Sequence, residues 1–175
     1  MNQELSRCTL LIVEDEPDLR EVYVEILSSI GCQILQATDG ADALRQLETN
    51  EVHAVLSDIS MPSMTGLELL QEVRARFGLL PFVIVSAFGN KENAVEALRL
   101  GANDFIEKPF APAEVMAVIT SALEVGMSLK GFEEEIARSF KADNGDPEKF
   151  ERYRRARMPL LVCRRQIDLL NKKAK

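Results

Sequence analysis

The chain has 175 residues, 46% of them hydrophobic, which suits one domain of common size with an appendage and excludes wholesale disorder. The polar start Met1-Asn2-Gln3-Glu4 does not resemble a signal peptide, no apolar stretch is expected to span a membrane, and a cytoplasmic setting is expected. The net charge of −7 hides an asymmetry: residues 1–125 carry 8 Lys/Arg against 20 Asp/Glu, and residues 126–175 carry 13 against 8. An acidic body and a basic tail are therefore expected, divided at 125/126. Cys8, Cys32 and Cys163 lie far apart in sequence and fit no CxxC pattern, so they read as reduced thiols.

In chain order, short aliphatic runs at Thr9–Val13, Gln33–Ala37, Ala54–Ser57, Phe82–Ser86 and Asp104–Ile106 predict strands. Helical patterns at Pro17–Ser29, Asp39–Thr49, Gly66–Phe77, Lys91–Leu100 and Pro112–Val125 alternate with them. In the first, Leu19, Val22, Tyr23, Ile26 and Leu27 recur at helical spacing. Gly31, Gly78 and Gly101 stand where helices should stop. Five strands alternating with five helices imply a parallel sheet covered on both faces.

Such sheets gather ligand chemistry at the carboxyl ends of their strands. The first run ends in Glu14-Asp15-Glu16, the third in Asp58, the fourth in Ser86-Ala87, and the fifth runs into Glu107-Lys108-Pro109. With strand order 2-1-3-4-5, Glu14, Asp15 and Asp58 converge, and Ser86 and Lys108 approach from the other side. Crowded carboxylates need a cation, and an all-oxygen donor set favours Mg²⁺ over Zn²⁺. A carboxylate can also attack phosphorus, and a phosphoryl group needs donors such as the Lys108 ammonium, the Ser86 hydroxyl and the Ala87 N–H.

Residues 8–125 resemble the receiver domain of two-component response regulators. The resemblance rests on Glu14-Asp15, on Asp58-x-x-Met61-Pro62-x-Met64-x-Gly66, on Ser86-Ala87 and on Phe105-x-x-Lys108-Pro109-Phe110, in that order. It implies a flavodoxin-like, doubly wound five-stranded sheet with a C-terminal helical extension. It also implies that Asp58 accepts phosphate from a histidine kinase or phosphotransfer protein. Asp15, Asp58 and the Ser60 carbonyl would hold Mg²⁺, with Glu14 in the same shell. Lys108 would pair with the carboxylate and then the phosphate, Ser86 would move toward the phosphate, and Phe105 would turn inward. The output face would be the fourth helix, fifth strand and fifth helix. Ser60 and Phe88 lie where the family tunes dephosphorylation, and Lys108-Pro109 resembles the family's cis peptide. No enzymatic activity is expected beyond the protein's own phosphoryl transfer and dephosphorylation.

Two other classes fit poorly. A dinucleotide-binding domain needs a Gly-rich turn after the first strand, where this chain has Glu14-Asp15-Glu16-Pro17. A haloacid-dehalogenase-type phosphatase would carry its nucleophile after the first strand in a DxD pair, and here Ser60 stands in the second position after Asp58. His53 is assigned no role, and Gly66 is read as a helix or turn start. Beyond residue 125, Phe132–Phe140 has helical spacing, Asn144-Gly145-Asp146-Pro147 is a breaker, and Leu160–Asn171 is amphipathic. This tail is expected to dock on the body, to pair with a second copy or to meet a downstream protein target. Alternatively, Arg152-Tyr153-Arg154-Arg155-Ala156-Arg157 makes it an atypical nucleic-acid-binding output of a transcriptional regulator.

Overall fold

The computed structural model describes residues 4–87 and 91–142. The strands are β1 (Thr9–Val13), β2 (Gln33–Ala37), β3 (Ala54–Asp58), β4 (Phe82–Ala87) and β5 (Asp104–Lys108). The helices are α1 (Pro17–Ser28), α2 (Gly40–Thr49), α3 (Gly66–Phe77), α4 (Lys91–Arg99) and α5 (Pro112–Ala142), and a 3-10 turn at Leu5–Arg7 precedes β1. All pairings are parallel, in the order β2-β1-β3-β4-β5. The central strands β1 and β3 are buried at every position, as strands covered on both faces must be. Edge strands β2 and β5 expose part of their length. The flavodoxin-like doubly wound sheet expected from the sequence is thus present.

Caps fix where the helices start. Asp39 accepts from the Asp42 N–H at 2.7 Å to open α2. Thr65 and Glu68 close a reciprocal capping box on α3. Gly66 does more than begin that helix. A Cβ there would collide with the carbonyl of Asp58, and its N–H donates to the Ile59 carbonyl at 2.9 Å. The absence of a side chain therefore lets α3 begin directly against the end of β3. Likewise a Cβ on Gly40 would collide with the Met64 side chain, so the β3–α3 loop rests on the start of α2.

Two tertiary links tie the loops at the opposite edge. Arg74 on α3 donates to the carbonyls of Gly78, Leu80 and Gly101 and to Asn103 Oδ1, using all five of its N–H groups. Burial pushes its guanidinium down to about 10. His53 Nδ1 accepts from the Thr9 N–H at 3.1 Å, which gives this histidine a structural place at the start of β1. Cys8 and Cys32, far apart in sequence, meet in space. They stand one residue before the paired Thr9 and Gln33, and the Gln33 N–H donates to the Cys8 carbonyl at 2.9 Å. Both are free thiols, and burial pushes both up.

The chain divides into two compact units, Met1–Glu124 and Val125–Lys175. Helix α5 does not stop at Val125; it absorbs the helical pattern Phe132–Phe140 and ends at Ala142. The breaker at Asn144, the basic run at 152–157, Cys163, the stretch 160–171 and Phe88 lie outside the described residues. One membrane expectation needs correction. Within the described residues, Pro112–Glu135 is long and apolar enough to cross a bilayer, with mean hydropathy 1.4. Val115, Ile119 and Leu123 recur every four residues and are wholly buried, so that side's apolarity serves core packing.

Candidate functional site

Register delivers the site residues to one edge. The β1–β3 pairing ends at Val13 opposite Ser57, which leaves Glu14 beside Asp58 as the next step. Asp58 pairs with Val85, Ser86 with Glu107, and Ala87 with Lys108. Each apolar strand has thus carried a polar group to the same carboxyl edge.

Lys108 ties that edge together. Its ammonium donates to Asp58 Oδ1 at 2.5 Å and to Glu14 Oε2 at 3.4 Å. The second oxygen of Asp58 accepts from the Ser60 N–H at 2.5 Å. Glu14 Oε1 accepts from the Glu16 N–H at 3.3 Å, and its carbonyl accepts from Arg20 at 2.7 Å. Glu14 is 2% exposed and Asp58 6%. Burial, then the charge of Asp58, holds the Glu14 carboxyl above the ordinary Glu range, against the opposing pull of Lys108 and the Glu16 N–H. Burial alone would lower the Lys108 ammonium, but its hydrogen bond and charge contact with Asp58, then with Glu14, hold it above the usual lysine value.

The other candidates are nearby but less engaged. Ser86 is buried at the end of β4, and Ala87 is exposed beyond it. Phe105 is half-buried against the rim of the core cluster. Asp15 is half-buried, and among the described residues no hydrogen bond or ion pair engages its carboxylate. The Lys108–Pro109 peptide is cis.

Among the described residues, no three His, Cys, Asp or Glu side chains stand close enough to hold a metal ion as placed. The Lys108 ammonium is the cation that joins Glu14 to Asp58. The donor chemistry nevertheless fits a hard divalent ion: the acidic side chains offer only oxygen, and a carboxylate raised by burial and a like charge gains from added positive charge.

Tyr23 was legible only as part of the apolar stripe of α1. Its ring stacks on Phe110, with centroids 5.4 Å apart and planes at 29°. Its hydroxyl is buried and has no hydrogen-bond partner among the described residues. The only sequence signal was a polar-tipped aromatic at a core position.

A family model described as the response regulator receiver domain matches residues 10–120. The chain is 35% identical over 120 residues to the chemotaxis protein CheY1 of Helicobacter pylori (strain J99 / ATCC 700824), covering 66% of this chain and 94% of that one. It is 34% identical over 128 residues to the transcriptional regulatory protein FixJ of Azorhizobium caulinodans, covering 73% of this chain and 60% of that one. The crystal structure of the NtrX receiver domain from Brucella abortus superposes with a TM-score of 0.63 at 39% identity, covering 66% of this chain and 98% of that one. Several curated relatives are much longer, and this chain spans 26% to 60% of their length. Sheet order, the polar edge and these matches agree: the chain belongs to the response regulator receiver domain family of two-component signalling.

Proposed function

We propose that Asp58 accepts a phosphoryl group from the phosphohistidine of a histidine kinase or phosphotransfer protein, and that this switches protein–protein contacts. The observation that carries the reading is the Lys108 ammonium held between Asp58 and buried Glu14. An Asp58 oxygen attacks phosphorus, the new O–P bond forms as the N–P bond breaks, and the donor imidazole keeps the electron pair. Asp15, Asp58 and the Ser60 carbonyl would hold Mg²⁺, with Glu14 beside them. The ion supplies charge neutralisation for the transferring group. Lys108 moves from the carboxylate oxygen to a phosphoryl oxygen, and the Ser86 hydroxyl and Ala87 N–H donate to the others.

The group adds about one further negative charge and three strong acceptors. The Ser86 contact is worth roughly 1–3 kcal/mol, which shifts a two-state equilibrium about ten- to a hundredfold. Phe105, half-buried, turns inward into the space that Ser86 leaves as it moves toward the phosphate. Exposed Val95 (48%) and Leu98 (56%) on α4 support a contact face there. With a small phosphodonor and Mg²⁺, one label per chain is expected at Asp58. Equal labelling of Asp58→Asn would overturn the assignment, and Asp15→Ala should weaken Mg²⁺ at least tenfold.

The similarity to FixJ and the basic balance of residues 126–175 favour a second reading, transcriptional regulation through the tail. Retention of the full chain on DNA at low salt, lost in a chain ended after Ala142, would support it. Absence of retention removes it.

A further inference from the structure

Tyr23 presents an anomaly. It is 1% exposed, and its hydroxyl finds no partner among the described residues. Native folds seldom leave a buried hydroxyl unpaired; such a group is satisfied by an ordered water or by a partner supplied in another state. The surroundings indicate which. Burial first, then the charges of Glu14 and Asp58, push the phenol up, so the hydroxyl stays protonated as a donor. The ring is stacked on Phe110, two residues beyond Lys108.

Glu14 Oε2 accepts from Lys108 in this structure. If Lys108 moves to a phosphoryl oxygen, that buried carboxylate oxygen loses its donor. We infer that Tyr23 is a positioning residue of this site: its hydroxyl, unpartnered in the unphosphorylated protein, takes over Glu14 when Lys108 leaves. The inference rests on the phosphoryl reading proposed above. It gives α1, which carries Tyr23, a part in the switch.

The chain has no Trp and two tyrosines, Tyr23 and Tyr153, so in Tyr153→Phe the tyrosine emission reports Tyr23 alone. Beryllofluoride with Mg²⁺ serves as the phosphoryl mimic. The expected result is a loss of Tyr23 emission on saturation, as a phenol donating to a carboxylate is quenched. In the otherwise unaltered chain, Tyr23→Phe should weaken beryllofluoride roughly tenfold, the effect of removing one hydrogen bond to a charged group. The melting temperature without beryllofluoride should be unchanged or higher. Glu14→Gln should remove most of that tenfold difference. A purely structural tyrosine would instead lower the melting temperature of Tyr23→Phe and leave affinity alone. Unchanged emission together with equal affinity overturns the inference while Asp58 chemistry stands. Failure of the unaltered protein to bind beryllofluoride overturns the phosphoryl reading and this inference with it.

Discussion

Glu14 is nearly inaccessible and stands beside Asp58, and both facts raise the energy of its ionised form. Its ionisation therefore opposes folding above its raised value, and the cost disappears below the ordinary Glu range. Lys108 has the opposite sign in effect. Its raised value means its contribution is complete below the ordinary lysine pKa and is lost as pH rises through the folded one. Glu14→Gln should raise the metal-free melting temperature at neutral pH by roughly 2 °C and flatten the acid side of the stability profile. Lys108→Ala should cost about 3 kcal/mol at pH 7, since it strands two buried carboxylates. A melting series from pH 4 to 10 on all three proteins checks both. Asp58, Glu14 and Lys108 were legible because each is a charge closing an apolar run. Tyr23 was not, since a ring at a core position looks the same whether or not its hydroxyl is satisfied.

At the scale of elements, β1 and β2 fall on the predicted residues, while β3, β4 and β5 run one or two further. An apolar pattern stops at the first polar residue, but ladder pairing continues through Asp58, Ala87 and Lys108. Helix α5 runs past its predicted end to Ala142, and the exposed Gly131 in its path costs only about 1 kcal/mol. Gly66 was read as a mere helix start, because a close approach between backbones leaves no mark in one sequence. Gly66→Ala should cost about 1–3 kcal/mol by chemical denaturation. It should also slow Asp58 labelling, because the collision is with the Asp58 carbonyl itself. Arg74 carries no distinguishing mark in the sequence, and its acceptors are neutral carbonyl and amide oxygens. Arg74→Ala should cost about 2–4 kcal/mol at any ionic strength. Arg76 pairs with Glu48 and Glu72 on the exposed side, so its replacement should cost under about 0.5 kcal/mol and less still in salt. Urea melts at two salt concentrations distinguish the pair.

For the whole molecule, the sheet order was legible through the resemblance to receiver domains, and its consequence is that β1 lies beside β3, so Glu14 and Asp58 become neighbours. The role of the tail was not readable, as its charge fits several partners equally well. A chain ended after Ala142 keeps α5 intact, where a cut at Val125 would sever it. If the tail docks on the receiver or pairs two copies, this truncation should change solution mass or melting temperature by sedimentation and calorimetry. The parallel topology has another consequence, in time. Lys108 lies 94 residues after Glu14 and 50 after Asp58. At ribosomal speeds of about 5–20 residues per second, Asp58 exists for roughly 3–10 s before Lys108 is made. A nascent chain in that interval has its acidic residues but neither their cation nor the fifth strand. On the phosphoryl reading proposed above, a chain stalled before Lys108 should take no label from a small phosphodonor, so that signal reception would begin only once the fifth strand has joined the sheet.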